Sequence, residues 1–151
     1  MLRIYLLLLL LISFSSGCEK RAEADLSAVP VDAIRQGLAL MPTACNTCHG
    51  VGELEMSEML APPLWGVRAH YLAHFPEPLA FVDGMTDFLL EPSRAKSRMP
   101  LELAHYDLKA PVALSEAELR SVVWAIYAGR VERPVWSREY KKHHRDCQAE
   151  W

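Results

Sequence analysis

Apolar positions recur at helical spacing in three stretches of the chain. In the first, Val31, Ile34, Leu38 and Met41 fall three or four residues apart, which sets them on one face of a helix. Pro30 suits the approach to its first turn, and Pro42 is expected to end it. The second runs from Pro76 to Leu90, with Leu79, Phe81, Val82, Met85, Phe88 and Leu89 as its apolar positions; Gly84 weakens it and Pro92 limits it. The third carries the strongest signals. Ser115 and Glu118 form an S-x-x-E capping box, with Leu114 and Leu119 at the staple positions. Leu119, Val122, Val123 and Ile126 make a buried stripe, Gly129 suits the C-terminal cap, and Arg130 stands favourably at the helix end. Between these helices, Glu53 to Leu60 reads as weakly helical or irregular. Ala61 to Val67 reads as a rigid extended loop, since neither Pro62 nor Pro63 can continue a helix. Ser93 to Lys109 reads as a mixed loop containing Met99-Pro100. No segment alternates as a convincing strand. The pattern predicts an all-α domain.

The N-terminus breaks this pattern. Ile4 to Ile12 is an unbroken apolar run behind Arg3. A bilayer span needs about 20 apolar residues, so the run is too short to be one and has the length of a signal-peptide core. Ser15-Ser16-Gly17-Cys18 resembles a lipobox, departing from it at Ser15, and makes Cys18 the candidate for lipidation. Glu19 after it resembles outer-membrane sorting. The rival is ordinary cleavage at Ala22-Glu23-Ala24, which lies beyond Glu19, Lys20 and Arg21. The expected division is a signal peptide over 1–17, a tether over 18–29, one domain over 30–133 and a polar tail over 134–151. That places the protein on the periplasmic side of a bacterial envelope, held to the membrane through Cys18 or, in the rival reading, free in the periplasm.

Composition adds little beyond this. The 151 residues are 51% hydrophobic and 23% charged, as befits one globular domain. Charge is uneven. Residues 19–129 carry 9 basic and 15 acidic side chains, net −6, and residues 130–151 carry 6 and 4, net +2. An acidic body favours a basic partner patch; a solvated surface is the plainer account. No nucleic-acid partner is expected. The tail offers His143, His144 and Cys147 without a recognisable site.

The candidate chemistry lies at Cys45-Asn46-Thr47-Cys48-His49, a C-x-x-C-H motif. This is the spacing for covalent attachment of a c-type haem. Thiols three positions apart can add to two vinyl groups of one porphyrin, and the histidine that follows falls under the iron. Cys45 and Cys48 are then the anchors and His49 the proximal ligand. The same residues also fit half a zinc site or a dithiol redox motif. A zinc site wants four ligands and a second paired knuckle, and a thioredoxin-like motif wants a βαβ setting; neither accompanies them.

Four pieces in order resemble the class I monohaem cytochrome c family over about residues 30–130. They are a helix with Gly37 eight residues before Cys45, the C-x-x-C-H motif, Pro62-x-Leu64-x-Gly66, and Met99-Pro100 followed by the capped final helix. The resemblance implies N- and C-terminal helices crossing around one covalently attached haem c. It implies that the Pro62 carbonyl holds His49, that Leu64 packs on the haem face, and that Met99 is the second iron ligand. Two features depart from the family: Met41 stands where an aromatic residue is frequent, and Trp124 and Tyr127 leave the aromatic register of the last helix open. His70, His74 and His105 are rivals to Met99, while Met41, Met56, Met59 and Met85 read as core filler.

The function implied is one-electron transfer between redox partner proteins, with no catalytic residues. Two alternatives follow the same motif: a haem subunit of one dehydrogenase or oxidase complex, and a haem sensor or peroxidase-like protein with a labile Met99.

Overall fold

The computed structural model describes residues 24–50 and 55–134. The expected signal peptide, Cys18 and nearly all of the tail, including His143, His144 and Cys147, lie outside the described residues. Six α-helices follow in order: α1 (Val31–Ala44), α2 (Asn46–His49), α3 (Leu64–His74), α4 (Pro78–Leu90), α5 (Pro100–Tyr106) and α6 (Glu116–Tyr127). Short 3-10 turns occupy Leu26–Ala28 and Met56–Glu58. There is no strand among the described residues; the fold is all-α.

The frame is α1 crossing α6, with α4 also packed on α6. At the crossing, Gly37 lies against the backbone of the partner helix. A Cβ there would stand 2.1 Å from the Ser121 carbonyl oxygen, so only glycine permits this approach. The Ser121 hydroxyl donates to Gln36 Oε1 at 3.0 Å beside it. The core is built on α6. Leu119, Val122, Val123, Ile126 and Tyr127 are all buried, and the last four share one apolar cluster with Phe81, Val82 and Met85 of α4. Burying each such side chain contributes about 1.5–3 kcal/mol. Phe81 and Tyr127 pack edge to face with centroids 5.1 Å apart, which adds about 0.5–1.5 kcal/mol.

The ends of α6 follow the reading of the sequence. The Ser115 hydroxyl accepts from the Glu118 N–H, and the Ser115 N–H donates to Glu118 Oε2 at 2.8 Å, closing the capping box. At the other end Gly129 adopts φ 73°, its N–H donates to the Ile126 carbonyl, and the Arg130 N–H donates to that of Ala125. That pair of bonds is the Schellman closure.

Four sequence expectations need correction. Pro42 does not end α1, which runs to Ala44; a proline in the last turn forfeits one hydrogen bond, and the Cys45 N–H still reaches the Met41 carbonyl at 2.9 Å. The buried face of α1 is Gly37 and Met41, while Val31 and Leu38 are exposed; the same is true of Leu79 in α4. The supposed extended loop stops at Pro63, because Pro62 and Pro63 precede a helix instead of interrupting one, and α3 starts at Leu64. Within the supposed loop 93–109, Pro100 opens α5, a position where its missing N–H costs nothing.

Candidate functional site

The C-x-x-C-H motif is folded as the end of α1 and one turn of α2. Cys45 is the hinge between them, and its carbonyl accepts from the N–H groups of Cys48 and His49 at 3.1 and 3.0 Å. This tight turn draws Cys45, Cys48 and His49 together. Gly50 follows with φ 54°, which lets the chain leave the turn sharply.

The His49 imidazole is held from one side. Its Nδ1 lies 2.5 Å from the Pro62 carbonyl oxygen. A carbonyl can only accept, so Nδ1 carries the proton and Nε2 is the nitrogen left for a ligand. The carbonyl is available because it lies just ahead of α3, outside any helical ladder. Burial pushes the His49 pKa below its ordinary value, against the Pro62 bond that raises it. The ring is therefore held neutral, the form that binds metals. Burial, and then the nearby Cys48, push the Cys45 thiol up to about 11. Reactive dithiols and thiolate metal sites need the opposite shift.

His49 faces a deep apolar cleft with about 1030 Å³ of empty space, its open mouth included. Cys45, Pro62 and Leu64 line the cleft near His49; Met85, Met99 and Leu119 line it from α4, the start of α5 and α6. Met99 is buried. The structure thus brings Cys45, His49, Pro62, Leu64 and Met99 onto the walls of one cavity. Cys48 stands beside them in the α2 turn, half-buried. Neither His74 nor His105 lines the cleft, and His70 is engaged with Glu102. Met41, Met59 and Met85 are buried.

Sequence reasoning missed Tyr71. It is buried on α3, lines the same cleft, and its hydroxyl has no hydrogen-bond partner. Burial holds the phenol protonated, above its ordinary pKa. A buried donor without an acceptor is costly, by about 1–3 kcal/mol, so it marks a place where a polar group of a ligand would be received. Its place within α3 is hidden in the sequence, where the helix start is covered by the loop reading of Ala61 to Val67 and residues 68–75 carry no element signal.

A c-type haem fits this donor set. The needs are two adjacent thiols, one neutral imidazole oriented by a carbonyl, a second soft ligand and apolar walls, and each is present. Among the described residues no three His, Cys, Asp or Glu side chains are grouped to hold a metal ion by themselves.

Comparison with known proteins adds one relative. An uncharacterised protein of Aquifex aeolicus (strain VF5) is 27% identical over 139 residues, covering 78% of this chain and 90% of that protein. No family model matches the chain, and no solved structure matches it.

Proposed function

We propose that the protein is a one-electron carrier holding one covalently attached haem c, with His49 and Met99 as axial ligands in a class I cytochrome c fold. The observation that carries this reading is the His49–Pro62 hydrogen bond inside the cleft that Met99 also lines. It fixes the imidazole tautomer and leaves Nε2 as the ligating nitrogen, which is the role such outer bonds have at metal sites. The approach of α1 and α6 through Gly37 supports the fold assignment.

Haem iron, when bound, supplies the ferric–ferrous couple. The chain's own residues set its terms. Cys45 and Cys48 would anchor the porphyrin by thioether bonds. His49 and Met99 would both be ligands to the iron, leaving no open site for substrate. A neutral thioether favours the ferrous state and raises the potential over histidine alone. Leu64, Met85 and Leu119 give the cleft apolar walls, which would limit the water around the haem and the reorganisation that accompanies each electron. Electron donor and acceptor proteins would be met in brief complexes. We place the carrier on the periplasmic side of a bacterial envelope, anchored to the membrane through lipidated Cys18.

An optical spectrum of the holoprotein tests the reading beside a Met99→Ala variant. The pigment should resist denaturing extraction and be six-coordinate and low-spin. The methionine-to-iron charge-transfer band should be present in the wild type and absent in the variant. A pigment that extracts freely overturns covalent attachment; a band that survives in the variant overturns Met99 as ligand.

A further inference from the structure

Glu102 is the one buried carboxylate among the described residues, and it lines the cleft from α5. Its Oε1 lies 3.4 Å from His70 Nε2 on α3, with the two side chains 7% and 18% exposed. On α5, Glu102 is buried and the adjacent Leu101 is 65% exposed, while Leu103 and Tyr106 are half-buried and line the cleft beside Glu102. The helix has seven residues and packs broadly on no other helix among those described. The polar link to His70 is therefore one of the tethers of this short element. Met99 is the residue immediately before α5, and its carbonyl accepts from the Leu103 N–H at 3.1 Å, so Met99 moves with the helix. His70 belongs to α3, which begins directly after the prolines that orient His49.

We propose that the His70–Glu102 pair is a clasp that holds the Met99 arm across the cleft, making both side chains positioning residues for the distal ligand. The proposal rests on the haem reading above. It ties the segment that orients the proximal ligand to the segment that carries the distal one. With the clasp broken, the arm samples open states more often, and any added ligand that competes with Met99 binds more tightly in proportion to the open fraction.

The test is imidazole titration of the ferric holoprotein, followed by loss of the charge-transfer band. His70→Ala removes one partner and Glu102→Leu removes the other with an apolar side chain of similar size. Each should raise imidazole affinity by about tenfold or more. The double variant should match either single one, because both break the same link. His70→Gln restores a donor and should return affinity to within about threefold of wild type. Arg120→Ala, which breaks the exposed pair with Asp83 (2.7 Å), should leave the titration unchanged. Affinities for His70→Ala and Glu102→Leu within about twofold of wild type overturn the clasp, even if both variants unfold more readily. If Glu102→Leu fails to mature, His70→Ala decides alone, since His70 is partly exposed. A wild type lacking the charge-transfer band overturns the axial-ligand reading instead; a normal wild type with unaltered variants overturns only the clasp.

Discussion

Gly37 shows how much one missing side chain controls. Its Cβ position lies 2.1 Å from the Ser121 carbonyl oxygen and 2.9 Å from the Val122 Cα, so both obstacles are backbone and cannot rotate away. Gly37→Ala must push α1 and α6 apart. Inserting a methylene into a packed core costs about 1–3 kcal/mol, and a backbone clash belongs at the upper end. Alanine is otherwise the better helix former, by about 1 kcal/mol, so a stabilising or neutral result in denaturant unfolding would show that the crossing is looser than the structure has it. The contrast with Gly66 is instructive. A Cβ there meets only Pro63 Cγ at 3.7 Å, an ordinary contact. Gly66→Ala should therefore leave the unfolding midpoint within about 0.5 kcal/mol of wild type or raise it.

At the scale of elements, α6 is the helix whose start depends on pH. The Ser115 hydroxyl, then the Ser115 N–H, hold the Glu118 carboxyl below its ordinary pKa. A depressed folded value means that the stabilisation is present above the unfolded pKa, 4.5, and is lost as pH falls through the folded one. Acidification from about pH 5 to about pH 3 should lower the unfolding midpoint of the wild type more than that of Glu118→Gln. Ser115→Ala should cost about 1 kcal/mol at neutral pH; parallel acid profiles for all three proteins would exclude the box as the source. The elements also differ in how legible they were. The capping box, the glycine stop and the apolar stripe all lie within α6 itself, so its sequence sufficed. In α3 the stripe is broken by Arg68, whose Nε donates to the Tyr127 carbonyl at 3.0 Å, a contact made 59 positions away. In α5 the buried position is a glutamate held by His70, which no hydropathy pattern anticipates. The site divides the same way. The motif residues Cys45, Cys48, His49, Pro62, Leu64 and Met99 could be named from spacing and resemblance, whereas Tyr71 and the His70–Glu102 pair exist only through tertiary contact.

The whole molecule is arranged around a space. Every helix meets either the α6 core or the cleft, the single turn α2 through His49 at its end. Tyr127 knits the core side. It packs on Phe81, its carbonyl accepts from Arg68, and its hydroxyl accepts from the Asp25 N–H at 2.7 Å. The cleft side is knit more sparsely: its walls are mostly apolar surfaces that face one another, with the His70–Glu102 pair as a polar link between α3 and α5. A chain of this size has little stability to spare, and apolar walls left facing an open cleft bury less surface than a packed core. A ligand that binds only the folded state supplies what the walls lack. The double variant Cys45→Ser/Cys48→Ser, which cannot form thioether bonds, should therefore keep helical far-UV circular dichroism through the α1–α6–α4 frame but lose fixed packing near Tyr71, Met99 and Tyr106, which line the cleft. Its near-UV signal should collapse, it should bind a hydrophobic dye, and its unfolding should broaden, the marks of a compact state without specific packing. Haem added in trans should restore part of the near-UV signal, and Met99→Ala in the same background should weaken that recovery. Should the thiol-free protein instead unfold as sharply as the holoprotein, at the same midpoint and without binding dye, the cleft would be a feature of a self-sufficient fold and not the seat of a structural cofactor.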